Sequence, residues 1–232
     1  MKKEKPEIAH LIINAKAKEG VGIRTQAKWC FIDFGDYAYG CGLHCKRNYE
    51  QKGSYKVIIT GENIEAMEIT GCCSFADFSE CNRLQQISVC NTGLQGIDLR
   101  RCRELRQLEC GFNKLMLLDL CDSPQLLRLE CENNLLRWLI LRRTCHLSYL
   151  QCNDNQLKEI NIPGKSSLLH VDCSNNRLPK ESLNKIFSKL PLYSPEKQAE
   201  IIFEGNPGCS QCNQKKIIAK GWEIGKSKSK AA

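Results

Sequence analysis

The chain has 232 residues, of which 42% are hydrophobic and 26% charged, with sixteen cysteines and a net charge of +8. This length accommodates one or two ordinary domains. No apolar run approaches the roughly 20 residues that a membrane-spanning helix needs, so a class of protein anchored by such a helix is excluded.

Positive charge is concentrated near the C-terminus. Six lysines lie between residues 215 and 230, where the only acidic residue is Glu223. Nucleic-acid binding usually needs basic residues on one folded face with aromatic residues among them, and this pattern is missing. We therefore expect no nucleic-acid partner, and we interpret 226–232 as a flexible basic tail.

Residues 1–61 alternate short apolar segments with turn signals, which predicts an N-terminal β-rich cap module. The predicted strands cover 11–13, 22–26, 29–34 and 55–60. We expect them to cover the first edge of the region that follows, because unpaired strand edges promote aggregation.

Residues 62–178 repeat the pattern L-x-x-L-x-C-x-x-N-x-L at an offset of 21 residues. The clearest copies begin at Leu105, Leu126, Leu147 and Leu168. This period is typical of leucine-rich repeats, in which stacked coils bury a continuous core behind a parallel sheet. We therefore predict an α/β solenoid: a right-handed leucine-rich repeat superhelix of about seven coils, with its parallel β-sheet on the concave face.

Two positions of the repeat are interpreted as structural. An asparagine follows each strand and is expected to bind buried backbone groups from inside the coil; these are Asn113, Asn134, Asn155 and Asn176. A cysteine ends each strand in a slot that Val89 fills one coil earlier; these are Cys110, Cys131, Cys152 and Cys173. We predict that these cysteines are free, buried and unreactive thiols.

The period breaks after the fourth copy, and 179–225 are predicted to form a C-terminal cap with a helix and a last coil. Four apolar residues follow helical spacing, namely Leu183, Ile186, Phe187 and Leu190. Pro191 then ends the predicted helix. Ile201, Phe203 and Asn206 then reproduce the repeat spacing of the fourth copy, which indicates one further coil.

These features resemble the cysteine-ladder leucine-rich repeats of bacterial surface proteins, including the internalin J-like type and examples from gut bacteria. The segments 32–36 and 55–61 are similar to the β module that precedes such repeats, although Tyr37 stands where the family has glycine. The segment 205–208 with Cys212 and 220–222 resembles their end cap. The resemblance implies a non-catalytic protein of the surface or adhesion type, on the cell surface or secreted. The sequence shows no recognisable signal peptide, and the alternative location, if that absence is genuine, is the cytoplasm.

In such a solenoid the residues between the buried positions of each strand point outward in columns. Their pattern here predicts an acidic groove edged by aromatic rings, in which Arg128 offsets the repulsion between Glu109 and Glu130. We expect it to bind a protein or peptide through a basic or polar segment, with a glycan as the alternative. The candidate ligand-binding residues are Gln107, Glu109, Phe112, Arg128, Glu130, Glu132, Tyr149, Gln151, His170 and Asp172.

Two alternative functions remain open. Two cysteine pairs have half-site spacing for structural zinc: Cys209-x-x-Cys212, and Cys41-x-x-x-Cys45 with His44 beside it. Both pairs also fit free thiols or local disulfides. A cysteine-dependent enzyme would need a base beside a thiol, whereas His170 and Cys173, three apart on a strand, point to opposite faces. We expect a monomer that is not an enzyme and holds no cofactor or metal.

A further set of arginines lies outside the strand columns, and we interpret it as a solvated basic stripe on the convex side. The set is Arg100, Arg101, Arg103, Arg142 and Arg143.

Overall fold

The protein, described at residues 5–164 and 166–227 of a computed structural model, contains eighteen β-strands and two α-helices in that range. The first eight strands are β1 (Glu7–Ala15), β2 (Gly20–Gln26), β3 (Trp29–Asp33), β4 (Tyr39–Cys41), β5 (His44–Asn48), β6 (Gly53–Glu62), β7 (Ala66–Gly71) and β8 (Phe75–Asp77). Eight follow in the repeats: β9 (Gln86–Ser88), β10 (Gly96–Asp98), β11 (Gln107–Glu109), β12 (Leu117–Asp119), β13 (Arg128–Glu130), β14 (Trp138–Ile140), β15 (Tyr149–Gln151) and β16 (His170–Asp172). The C-terminal elements are α1 (Lys180–Lys189), a 3₁₀ turn (Pro195–Lys197), β17 (Ala199–Ile202), α2 (Lys215–Ile218) and β18 (Trp222–Ile224).

The largest sheet has ten strands in the order β18-β17-β16-β15-β13-β11-β9-β7-β2-β5. From β7 to β17 its seven strands are parallel neighbours, each one coil further along the chain. In this sheet the middle residue of each three-residue repeat strand is buried, as at Leu108 and Leu129. The predicted solenoid with a parallel sheet is confirmed.

A second layer of short strands lies across the core from this sheet. It consists of the parallel pairs β8 with β10 and β12 with β14. The central residues Leu118 and Leu139 of the second pair are buried in the same hydrophobic cluster as Leu108 and Leu129. The described coils therefore carry strands on both sides of the core, and the helices of the predicted α/β class are confined to the segments after residue 179.

The asparagines bridge successive coils as predicted. Asn134 donates from Nδ2 to the carbonyl of Cys110 (2.9 Å) and of Cys131 (3.2 Å), and its Oδ1 accepts the backbone N–H of Leu115 at 2.9 Å. The same pattern recurs at Asn113, Asn155, Asn176 and Asn206. The four ladder cysteines are completely buried free thiols, and burial raises the pKa of each thiol.

The N-terminal strands are part of both layers. β2 pairs antiparallel with β7, and β5 pairs antiparallel with β2. These pairings extend the ten-stranded sheet beyond the first coil. β1 lies between β6 and β8 in a six-stranded sheet of order β10-β8-β1-β6-β3-β4. The four predicted strand segments fall on β1, β2, β3 and β6, whereas β4 and β5 were not predicted. The proposed boundary between 61 and 62 falls at the last residue of β6.

The C-terminal region continues the same sheet. Helix α1 buries Leu183, Ile186 and Phe187, and the chain then returns as β17, parallel to β16 with Ile201 beside Val171. β18, which was not predicted, adds a further parallel strand. Within the described residues no helix is long and apolar enough to cross a bilayer. Most of the predicted tail, from residue 228 onward, lies outside the described residues.

Candidate functional site

The outward surface of strands β11, β13, β15 and β16 carries two rows of partly exposed side chains, which we call the sheet face. Strand pairing aligns Gln107, Arg128, Tyr149 and His170 in one row. It aligns Glu109, Glu130, Gln151 and Asp172 in the other. Because neighbouring strands lie about 4.8 Å apart, eight of the ten candidate residues form one continuous surface.

The first row is stacked. The guanidinium carbon of Arg128 lies 3.7 Å from the centroid of the Tyr149 ring. The Tyr149 and His170 rings are nearly parallel, with centroids 4.5 Å apart. His170 Nδ1 lies 3.3 Å from Glu200 Oε2 on β17. Glu200 was not among the candidate residues, although the alignment of Ile201 with Val171 places it beside His170.

The second row is acidic and partly neutralised by the first. Arg128 Nε donates to Glu130 Oε1 at 2.5 Å, and Gln107 Nε2 donates to Glu109 Oε1 at 2.6 Å. Arg128 therefore places a positive charge directly against the Glu130 carboxylate. These contacts orient the side chains of the two rows relative to one another.

Phe112 lies just beyond β11 in an unfavourable backbone conformation. Its φ is +58°, and the equivalent residues of other coils, Asn91, Asn133, Asp154 and Asn175, have φ between +51° and +54°. Asparagine and aspartate tolerate this left-handed region, whereas a bulky side chain is strained there. Phe112 is nevertheless 53% exposed, so its ring does not recover this strain by burial in the core.

Glu132, in the turn after β13, is unusual in a different way. Its side chain is only 7% exposed, and its Oε2 has no hydrogen-bond partner among the described residues. Burial raises the pKa of this carboxyl, and the nearby Glu130 and Glu109 carboxylates add to the effect. A Cβ on Gly111 would come within 2.5 Å of Glu132 Oε1, so the glycine provides the space that this side chain occupies.

The two unusual residues are direct neighbours across adjacent coils. The backbone N–H of Phe112 donates to the carbonyl of Glu132 at 2.9 Å. All ten candidate residues lie on or beside the sheet face, with Phe112 and Glu132 in the turns that follow β11 and β13.

The surface also extends toward the N-terminal strands, which sequence reasoning did not anticipate. A cavity of about 360 Å³ lies where β2 and β7 meet the coils. Its lining includes Arg24, Gln26, Glu68, Gln107 and Glu109. The antiparallel pairing of β2 with β7 brings Arg24 beside Glu68, and no repeat pattern in the sequence encodes that pairing.

Neither alternative function gains support from the geometry. The described residues contain no group of three or more His, Cys, Asp or Glu side chains arranged to hold a metal ion. Cys212 directs its thiol to the carbonyl of Cys209 at 3.1 Å, and both thiols are free. Cys173 is completely buried while His170 lies on the sheet face, so this thiol and this base point to opposite sides as predicted.

Comparison with known proteins supports this architecture. No protein-family model and no curated protein matches the chain. Among solved structures, the chain is similar to the functional domain of InlJ from Listeria monocytogenes, which includes a cysteine ladder. The TM-score is 0.50 and the sequence identity 23%, over 65% of this chain and 38% of that chain. The chain thus has the cysteine-ladder leucine-rich repeat fold, and the resemblance to the internalin J-like type is confirmed at the level of fold.

Proposed function

We propose that this chain is a non-catalytic recognition module of the adhesion type that binds a peptide or protein on the sheet face. The observation that carries the proposal is the pair Phe112 and Glu132. Both residues destabilise the coils in which they occur, one by backbone strain and one by a buried carboxylate whose Oε2 has no hydrogen-bond partner among the described residues. Departures from a repeat's own preferences concentrate at functional sites, and these two adjoin the acidic row.

The chemistry of the surface favours a ligand with both basic and apolar residues. Glu109 and Glu130 attract lysine or arginine side chains, and the exposed Phe112 ring offers an apolar contact at the edge of the acidic row. The stacked Arg128, Tyr149 and His170 form a flat boundary beside it. A short extended peptide fits these features, because the rows run across several strands.

A displayed library of random twelve-residue peptides tests the proposal. We expect selection on the wild-type protein to enrich peptides that combine lysine or arginine with an apolar residue. Reversing the charge of Glu109 and Glu130 to lysine should abolish capture of the enriched peptides. Phe112→Asn should weaken it roughly tenfold, as the loss of an anchoring aromatic contact does.

The matched control reverses Glu104 and Glu181 to lysine, since both are exposed and lie outside the sheet face. This variant has the same net charge as the Glu109 and Glu130 variant, and its binding should equal that of the wild type. Circular dichroism verifies that every variant is folded. Enrichment of peptides without basic residues, or equal binding by the sheet-face and control variants, would contradict the proposal.

A further inference from the structure

A second groove lies in the opposite layer, beside strand β14. Among the strands that the structure describes, β14 pairs only with β12, in a two-stranded sheet. In the next coil, Ile160 and Ile162 occupy the positions of Leu139 and Leu141 and are buried like them, yet this segment forms no strand. A cavity of about 710 Å³ separates β14 from 156–161.

The missing strand pairing has a structural reason in α1. The carbonyl of Lys158 accepts a hydrogen bond from Ser182 Oγ at 2.8 Å, and Glu159 forms an ion pair with Lys185. Both partners belong to α1. The segment after residue 157 is therefore held by the helix, and the groove beside β14 remains open.

The edge of β14 that faces the groove offers backbone groups for pairing. On its other edge, Arg137 N donates to Met116 O at 2.9 Å, and Ile140 O accepts from Leu120 N at 3.1 Å. In a parallel ladder, the backbone N–H and C=O groups that do not bond to the neighbouring strand point away from it. For β14 that direction is toward the groove. Such an edge is a template for an added extended segment, and Trp138 beside it is 60% exposed.

The groove is also strongly basic. Its lining contains four exposed cations, Arg137, Arg142, Lys158 and Arg177. None of the four has an ion-pair partner within the part of the chain that the structure describes. The one carboxylate in the lining, Glu159, is neutralised by Lys185. An occupant that neutralises these cations must be acidic.

We infer that this groove binds an extended acidic segment of a partner protein, which adds to β14 as a further strand. The backbone edge selects a polypeptide, the four cations select acidic side chains, and Trp138 supplies an apolar contact. This site is distinct from the sheet face, which lies in the other layer and has acidic character. The two sites can be tested separately because their ligands have opposite charge.

The test uses fluorescence polarisation with a labelled, N-acetylated eight-residue peptide that alternates glutamate and valine. We expect saturable binding to the wild-type protein. A peptide of the same sequence with alternate backbone nitrogens methylated should not bind, because it cannot pair with a strand edge. Arg137→Glu with Arg177→Glu should weaken binding about tenfold or more, since both changes replace attraction by repulsion.

The matched control is Lys46→Glu with Lys52→Glu, which makes the same charge change at two exposed positions, one in β5 and one just before β6. It should bind the peptide like the wild type. Equal binding of the methylated peptide overturns strand addition. Equal loss in the control variant overturns the assignment to this groove. Binding of a polyanionic sugar such as polyglucuronate, with no binding of the peptide, overturns the choice of a polypeptide.

Discussion

Asn134 binds the backbone of two coils at once. Its amide joins the carbonyls of Cys110 and Cys131, while its carbonyl oxygen accepts the N–H of Leu115. At 6% exposure the side chain is shielded from water, so water cannot replace these contacts. The sequence position of the asparagine was informative, because a buried turn needs a side chain that both donates and accepts.

We predict that Asn134→Ala lowers the free energy of unfolding by about 2–4 kcal/mol, because each buried backbone group left unpaired costs about 1–3 kcal/mol. Urea denaturation followed by circular dichroism measures the change. Asn213→Ala, at an exposed position, is the control and should have little effect. A similar loss in both variants would show that the bridging contacts do not stabilise the coils.

Glu132 is expected to make stability depend on pH in a direction opposite to that of most carboxyl groups. Burial raises the pKa of Glu132 in the folded protein. Its contribution to stability is therefore fully present below the ordinary carboxyl pKa of about 4.3 and is lost as pH rises through the raised folded value. Above that folded value the folded state must hold a charged and poorly solvated carboxylate.

We predict that Glu132→Gln raises the urea midpoint at pH 7.5 and leaves it almost unchanged at pH 4, because glutamine removes the buried charge without removing volume. The exposed Glu104 provides the control, since Glu104→Gln should leave the midpoint unchanged at both values. A gain for Glu132→Gln that is equal at pH 4 and pH 7.5 would contradict the electrostatic explanation.

At the level of elements, the strands that follow a pattern were predictable and those at the edges were not. The leucine and cysteine spacing predicted the repeat strands because their inward residues must be apolar. β5 has the sequence His44–Asn48 with no buried residue, so it shows no apolar alternation. Charged edge strands of this kind protect a sheet from further pairing. Their polar composition also means that no apolar pattern in the sequence indicates a strand.

β18 illustrates a second reason for failure. Its three residues include one buried side chain, Trp222, whose indole N–H donates to the carbonyl of Pro191 at 2.9 Å. The strand exists because β17 offers a free edge, which depends on the return of the chain after α1. Only the tertiary structure contains that information. The helix itself was predictable, since its apolar residues have the correct spacing and Pro191 follows its end.

The candidate site was predictable in part for the same reasons. Once strand pairing is assumed, the rows from Gln107 to His170 and from Glu109 to Asp172 follow from the 21-residue offset. Arg24 was not predictable, because β2 pairs antiparallel with β7. Glu200 was overlooked, although the alignment of Ile201 with Val171 places it beside His170. The strain at Phe112 was also hidden, since the left-handed backbone at this position becomes apparent only from the dihedral angles.

At the scale of the whole molecule, the reactivity of the sixteen cysteines depends on how deeply each is buried. Eight are buried, seven are partly exposed, and Cys41 is exposed. Alkylation requires the thiolate, and burial raises the pKa of the buried ladder thiols such as Cys131. The interior therefore protects these groups both by excluding the reagent and by keeping them protonated.

We predict that iodoacetamide modifies Cys41 first in the native protein and leaves the eight buried cysteines unmodified. All sixteen should react after denaturation in urea under reducing conditions. Peptide mass spectrometry after a timed reaction identifies the modified sites. Rapid labelling of Cys110 or Cys152 in the native protein would show that the coils do not enclose a dry core.

The position of β1 between β6 and β8 has a consequence for any attempt to dissect this protein. Truncation before residue 62 would remove β1 and β2, and thereby leave bare edges on β7 and β8 in both layers at once. It would also remove Glu7, whose carboxylate accepts the backbone N–H groups of Ile64 and Arg83. The repeats and the strands before them are therefore best expressed together, because a shortened protein would begin with two unpaired strand edges that promote aggregation.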